Sequence, residues 1–170
     1  MRNLLLIPIY FIFFGCSDTS PIESSQPSTP ADLTFHSEEF RKEIIEVTDG
    51  VHVAVGFALA NAILIEGEGS NIIIDTTGSY ETAKEVKTLF DDINSNPVEA
   101  LIYTHNHADH TYGAMAFAEG SDPEIYAHSS TAKYLSRVIG ILRPIISTRS
   151  NRMFGNNLPI DQIENNGIGQ

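Results

Sequence analysis

Residues 104–113, THNHADHTYG, concentrate the potential metal-binding side chains of this sequence. His105, His107 and His110 are three of its six histidines, and Asp109 directly precedes the last of them. Neutral imidazole and carboxylate are good ligands for zinc and similar divalent ions. At the end of a strand, residues two apart project to the same side, so the first two rings can bind one ion. Asp109 and His110 can then face a second ion beside the first.

Two neighbouring ions would support hydrolysis. Metal ions about 3.5–4 Å apart lower the pKa of a shared water molecule towards neutrality and hold the attacking and leaving oxygens. Such a site needs no serine or cysteine nucleophile. The motif therefore predicts a metal-dependent hydrolase that uses metal-activated water.

The segments before the motif predict the elements that position it. Residues 51–55 alternate in the two-residue period of a strand, and the apolar runs 61–65 and 71–74 predict a hairpin. Apolar residues then follow helical spacing from 83 to 93, after Ser79 as the predicted N-cap. Residues 98–103 return to a strand pattern.

Strand, helix and strand in this order predict a βαβ unit with parallel strands and a right-handed crossover. Ligands of such sheets collect just beyond the carboxyl ends of the strands. Asp75 follows one of the two strands, and the histidine motif follows the other. We therefore expect Asp75 and the motif at the same edge of the sheet.

Several matching segments resemble the metallo-β-lactamase superfamily. They are H105-x-H107-x-D109-H110, preceded by N61-A-I-L-I, I74-D75-T76 and L101-I-Y-T, and the resemblance covers roughly residues 43–128. It implies an α/β fold, the αββα sandwich, of which only the first half is expected in this chain. It also implies one or two metal ions, usually zinc. We expect two here, with other divalent metals left open.

The same resemblance implies a role for each site residue. His105 and His107 would bind the first metal, and Asp109 and His110 the second. Asp109 would also orient the attacking hydroxide, which makes it the catalytic residue. Asp75 would support the ligands from behind, as outer hydrogen-bond partners do at metal sites.

Two segments after the motif resemble the alkylsulfatase branch, which hydrolyses alkyl sulfate esters to alcohol and sulfate. They are EIYAH, ending at His128, and RMFGNNLP at residues 152–159. The D-H-T-Y-G run departs from the D-H-x-G-G of many superfamily hydrolases. Two alternatives stay open: another hydrolase of this fold, acting on a β-lactam, lactone or thioester, or a truncated metal-binding fragment without activity. His128 could reach the site but is not predicted to be a ligand.

The N-terminal residues predict export. Residues 1–15 combine Arg2, a short apolar run and Gly15, which is typical of a signal peptide. Cys16, the only cysteine, follows as in a bacterial lipoprotein and is the expected lipidation site. We expect a membrane-anchored protein facing the periplasm or, after ordinary cleavage, a soluble periplasmic or secreted one.

The rest of the chain divides into a tether and a folded part. Residues 16–34 are rich in Ser, Thr and Pro and predict a disordered tether. Residues 35–170 are predicted to be the N-terminal part of the catalytic domain, with further metal ligands expected beyond Gln170. Near the end, helical spacing predicts core positions at Tyr134, Leu135, Val138, Ile139 and Leu142.

Overall charge narrows the possible partners. The 170 residues carry 22 Asp and Glu against 10 Lys and Arg, a net charge of −12. Nucleic-acid binding depends on clustered positive charge, so this composition argues against it. We expect a small anionic ester as the substrate, whose sulfate oxygens would be held by metal ions and arginine.

Overall fold

The computed structural model describes residues 35, 41–154 and 157–159. The predicted signal peptide, Cys16 and the tether at residues 16–34 lie outside these residues. The described part is built on one six-stranded sheet whose strands are neighbours in chain order. The strands are β1 (Glu43–Thr48), β2 (Val51–Val55), β3 (Ala62–Glu66), β4 (Asn71–Ile74), β5 (Val98–Ile102) and β6 (Glu124–Tyr126).

The sheet changes from antiparallel to parallel at β4. Strands β1 to β4 pair antiparallel, whereas β4–β5 and β5–β6 are parallel. Helix α1 (Tyr80–Ile93) makes the crossover from β4 to β5, and the Ser79 side chain accepts a hydrogen bond from the Thr82 backbone N–H at its start. The predicted βαβ unit and its N-cap are confirmed.

Helices cover one face of the sheet. Leu64, Ile73 and Leu101 pack in a buried cluster that includes Val86 and Phe90 of α1. Alternate residues of strands β2 to β5 point to the other face and are partly exposed, among them Val53, Ile63, Ile72, Ile74 and Ile102. The described residues thus form an α/β sheet with its helical layer on one side, as expected for half of an αββα sandwich.

The last helices contradict one prediction. After the short helices α2 (Ala108–Thr111) and α3 (Ala114–Phe117), the chain forms α4 (Thr131–Arg137), a π-helical turn (Val138–Leu142) and α5 (Arg143–Phe154). The predicted core positions here are wrong, because Tyr134 is 45% and Ile139 48% exposed and Leu135, Val138 and Leu142 are partly exposed. The helical spacing is real, but these helices add no apolar side chain to the buried core of the described residues. Among the described helices, none has the length and apolar character needed to cross a membrane.

Candidate metal centre

Asp75 and the histidine motif meet at the carboxyl edge of the parallel strands. Asp75 directly follows β4, and its backbone N–H donates to the carbonyl of Ile102, the last residue of β5, at 2.9 Å. The motif begins two residues after that strand end. The sheet therefore brings together two segments that are about 30 residues apart in sequence, as the βαβ prediction required.

The Asp75 carboxylate organises the site. Its Oδ1 accepts the Thr104 backbone N–H at 2.9 Å, and its Oδ2 accepts the Thr104 hydroxyl at 2.7 Å. The same Oδ2 lies 2.7 Å from Nδ1 of His110. Asp75 is only 6% exposed, so these bonds hold a nearly buried carboxylate in one orientation. An ionised carboxylate can only accept, which fixes the direction of all three bonds.

These bonds also fix the protonation of two imidazole rings. His110 Nδ1 must carry the proton that it donates to Asp75, so in the neutral form of the ring Nε2 is the nitrogen without a proton. The Thr104 hydroxyl donates its single proton to Asp75 and therefore accepts from His105 Nδ1, 3.1 Å away. Nε2 of His105 is then unprotonated as well. In the neutral rings both Nε2 atoms have the free electron pair that a metal ligand needs.

The three histidine rings lie against one another. The ring centroid of His105 is 4.5 Å from that of His107 and 4.0 Å from that of His110. Asp109 Oδ2 lies 3.4 Å from His110 Nε2. Burial, followed by the charges of His110 and His107, lowers the pKa of His105 and favours its neutral, ligand form.

Backbone contacts hold the motif against the loop that follows β4. The Thr76 backbone N–H and hydroxyl both donate to the His110 carbonyl, at 2.8 and 3.1 Å. Asp75 and Thr77 have positive φ angles of 57° and 64°. Such conformations are unfavourable for residues other than glycine, and in folded proteins they cluster at functional sites.

Gly113 allows this close approach. A Cβ atom there would lie 1.8 Å from the Thr76 carbonyl oxygen and 2.5 Å from the Ala83 Cβ. Its own backbone N–H donates to the Thr77 carbonyl at 3.2 Å. Only glycine therefore lets the segment after the motif pack against the β4–α1 loop.

The donor set fits a divalent metal ion. Imidazole, supplied by His105, His107 and His110, and the Asp109 carboxylate are ligand types that zinc prefers. Within the described residues, however, no three carboxylate, imidazole or thiol side chains are already arranged around one point. The His105 ring instead packs against the His107 and His110 rings, and Asp109 lies beside His110.

Thr104 is the site residue that sequence reasoning missed. It stands directly before His105, at the edge of the sheet where Asp75 is also expected, and that position is the only signal in the sequence. His128 was considered as a rim residue. It is exposed, and the hydrogen bonds found for its ring are to Ser130, with Nδ1 2.8 Å from the hydroxyl. Cys16, the expected lipidation site, lies outside the described residues.

Comparison with known proteins identifies the family. Residues 55–149 match the model of the metallo-β-lactamase superfamily. The chain belongs to this superfamily. Its members typically bind divalent metals such as zinc, in agreement with the donor set described above. The family resemblance stated from the motif is therefore confirmed.

The relatives also confirm the resemblance to the alkylsulfatase branch. The chain is 32% identical over 132 residues to a linear primary-alkylsulfatase from a Pseudomonas species, covering 74% of this chain and 20% of the relative. It is 34% identical over 105 residues to an alkyl/aryl-sulfatase of Saccharomyces cerevisiae, covering 57% and 16%. The solved sec-alkylsulfatase Pisa1 from Pseudomonas shares the fold, with a TM-score of 0.64 and 23% identity over 69% of this chain and 20% of that one. The chain thus spans about a fifth of the length of these relatives.

Proposed function

We propose that this protein is a metal-dependent hydrolase that cleaves alkyl sulfate esters to an alcohol and inorganic sulfate. The observation that carries the proposal is the hydrogen-bonded system of Asp75, Thr104, His105 and His110 at the carboxyl edge of the sheet. It orients two imidazole rings through their Nδ1 atoms, beside the Asp109 carboxylate. The sulfatase names of its relatives support the substrate class.

The proposed ligands divide into two pairs. His105 and His107 would hold one zinc ion, and Asp109 and His110 a second, with the remaining ligands supplied by residues other than these four. Bound cations would supply positive charge that polarises the ester and makes a nearby water molecule more acidic. The net charge of −12 makes such local positive charge useful for holding a sulfate ester.

The protein's own groups orient the reactants. Asp75 holds His110 directly and His105 through the Thr104 hydroxyl, so both rings keep the tautomer that leaves Nε2 available. The Asp109 side chain is 28% exposed at the edge of the site. From there we propose that its carboxylate accepts a hydrogen bond from the attacking water molecule and turns the oxygen towards the ester.

Sulfate release tests the proposal. The full chain, loaded with zinc, should release inorganic sulfate from dodecyl sulfate and lose this activity with a chelator. Asp109→Asn should reduce the rate by a factor of about 100 or more, because proton acceptance by a positioned side chain typically contributes 10²–10⁴-fold. Asp122→Asn, an exposed carboxylate outside the site, is the matched control and should leave the rate unchanged.

Two results would contradict the sulfatase assignment. A zinc-loaded chain that cleaves nitrocefin or a lactone but no sulfate ester would be another hydrolase of this fold. A chain that binds zinc, measured by calorimetry, and cleaves no ester would be a metal-binding protein without hydrolytic activity. Zinc binding is measured separately from turnover, so failure of the site and failure of the substrate assignment are distinguished.

We also propose that Cys16 anchors the protein to a bacterial envelope. The apolar run before the cysteine and the Ser- and Pro-rich segment after it support this proposal. Labelled palmitate should be incorporated into the chain when it is expressed in a bacterium, and Cys16→Ser should abolish the label. Incorporation that survives this substitution would place the modification elsewhere.

A further inference from the structure

The segment that follows the metal motif has one buried side and one exposed apolar side. Tyr112 comes directly after α2, and its backbone N–H donates to the Ala108 carbonyl at 3.0 Å, which completes a helical turn. Tyr112 is 41% and Met115 73% exposed, whereas Ala116 and Phe117 are fully buried in the core. Met115 is the most exposed large apolar side chain of the described residues. Two large apolar groups therefore face solvent on the side of this segment that points away from the core.

This apolar surface begins at the proposed metal site. Tyr112 lies three residues after Asp109, and residues three apart on a helix are neighbours. Helical backbone angles at Tyr112 and Gly113 place Met115 about one turn further along. The six residues from Asp109 to Met115 span about 9 Å at the rise of a helix. We call Tyr112 and Met115 the apolar strip, which leads away from Asp109.

Polar side chains limit the apolar strip at both ends. At the far end Glu119, four residues after Met115, accepts a hydrogen bond from the Tyr80 hydroxyl and lies 3.7 Å from Lys84 Nζ. At the near end is Asp109. Two apolar side chains between polar groups are too small a surface for a protein interface, which buries about 800 Å² on each partner. The strip instead has the shape to bind a narrow apolar chain with a charged group at one end.

We propose that Tyr112 and Met115 bind the alkyl chain of the substrate and make the protein selective for long-chain alkyl sulfates. This inference rests on the proposed function, which puts the sulfate group at the metal ligands beside Asp109. An alkyl sulfate has its charge at one end and an apolar chain behind it, so the chain lies along the apolar strip. The tyrosine ring offers a flat apolar face, and the flexible methionine side chain adapts to chains of different length.

The hydrophobic effect sets the size of this selectivity. A CH₂ group that is fully buried on binding raises affinity by about a factor of four, and one that is covered on one side raises it by about a factor of two. An open strip covers one side of a chain. Affinity should therefore rise steadily with chain length until the chain extends past Met115.

Binding of alkyl sulfonates tests the proposal without turnover. A sulfonate has a C–S bond in place of the ester C–O–S linkage, so it contains no sulfate ester to hydrolyse. Calorimetry with the zinc-loaded full chain, below the micelle concentration of the ligand, should show decyl sulfonate binding at least about tenfold more tightly than butyl sulfonate. Tyr112→Ser with Met115→Ser should reduce this ratio to about threefold or less. Met153→Ser changes a comparably exposed methionine in α5 and is the control, which should keep the wild-type ratio.

Methyl NMR provides a contact measurement that does not depend on affinity. Of the methionines in the chain, Met115 and Met153 lie in the described residues. In protein labelled at the methionine methyl groups, decyl sulfonate should shift the Met115 signal and leave the Met153 signal in place. Butyl sulfonate, whose chain is shorter than the apolar strip, should not shift the Met115 signal. Tyr112→Phe keeps the ring and should therefore keep the preference for decyl over butyl sulfonate.

Three results would overturn the proposal. They are equal affinities for the two sulfonates, a ratio that survives the double serine substitution, and weaker binding of both sulfonates to Tyr112→Phe. The last result would mean that the phenol contacts the sulfonate group and not the chain. Failure of the proposed function gives a different result: a chain that prefers decyl sulfonate but releases no sulfate would retain the apolar strip and contradict the sulfatase assignment. Sulfate release without any preference for chain length would contradict the apolar strip alone.

Discussion

Two histidine–carboxylate pairs with the same separation lie at opposite ends of β4. At the carboxyl end, His110 Nδ1 is 2.7 Å from Asp75, and at the amino end, His52 Nε2 is 2.7 Å from Glu66. Distance alone does not distinguish a functional pair from a structural one. The surroundings of each pair do.

At the amino end the polar groups bind one another. The second oxygen of Glu66 accepts from the Asn94 side-chain amide at 2.8 Å, and the Asn71 amide donates to the Asn94 carbonyl at 3.0 Å. Asn94 caps the end of α1, so this cluster ties the helix to the β3–β4 hairpin. His52 is 7% exposed. Both carboxylate oxygens of Glu66 accept hydrogen bonds within the cluster, which is therefore structural.

At the carboxyl end the hydrogen bonds do not involve the Nε2 atoms, which are the proposed metal ligands. Asp75 and Thr104 bind the Nδ1 atoms of His110 and His105 and leave Nε2 of both rings outside these hydrogen bonds. His107 is exposed beside them. The buried Asp75 carboxylate orients two imidazole rings whose Nε2 atoms it leaves available. Glu66 instead joins side chains that hold helix α1 to the sheet.

The largest expected effect is the loss of stability caused by Gly113→Ala, at the carboxyl end of β4. The new methyl group would meet the Thr76 carbonyl oxygen and the Ala83 side chain, so the loop beside the metal site must move. We expect a loss of about 3 kcal/mol in the free energy of unfolding, measured by urea titration, because overpacking and backbone strain combine. Gly140→Ala, where the new Cβ meets no atom within 4 Å, is the control and should change stability by about 1 kcal/mol or less. Equal stabilities of the two variants would contradict the packing argument.

Asp75→Asn should lower zinc affinity, whereas the corresponding change at Glu66 should not. Asparagine tolerates the positive φ of this position but donates where His110 must also donate, so the ring loses its fixed orientation. Zinc affinity, measured by competition with a chelating dye, should fall about 10–100-fold, as for other outer partners of metal ligands. Glu66→Gln is the matched variant at the amino end and should leave zinc affinity unchanged. A similar loss in both variants would mean that the two pairs act through stability alone.

Ser79→Ala tests helix α1, which connects the two ends of β4. The Ser79 hydroxyl accepts the Thr82 backbone N–H at 3.2 Å, and α1, which it caps, runs from the metal edge of the sheet to the Asn94 cluster. Loss of an N-cap typically costs about 1 kcal/mol of stability, which chemical denaturation can measure. Zinc affinity should stay unchanged. Ser95→Ala, beyond the helix, is the control that should show no loss.

The difference between the two ends also explains what the sequence could predict. The metal motif is local: four potential ligands within six residues, after a strand, predict a site without knowledge of the fold. Placing Asp75 beside the motif requires one further inference, that β4 and β5 are parallel. The helical period of α1 between these two strands predicts that arrangement. The His52, Glu66 and Asn94 cluster joins residues 14 and 28 positions apart, and no local pattern links them. The exposure of Tyr134 and Ile139 was likewise not predictable, because helical spacing shows which side chains share a face and not what covers that face.

The smallest expected effect concerns the pH dependence of stability, to which Glu66 should contribute. The hydrogen bonds from Asn94 and then from His52 lower the pKa of Glu66. A carboxyl whose pKa is lower in the folded state stabilises the fold above its unfolded pKa, about 4.3, and this contribution is lost as the pH falls through that value towards the lowered one. Urea midpoints measured from neutral to acidic pH should therefore decline less steeply below about pH 4.5 in Glu66→Gln than in the wild type. Glu68→Gln, on the exposed turn next to it, should keep the wild-type slope. Identical slopes in all three proteins would show that the amino-end cluster holds the fold through its uncharged hydrogen bonds.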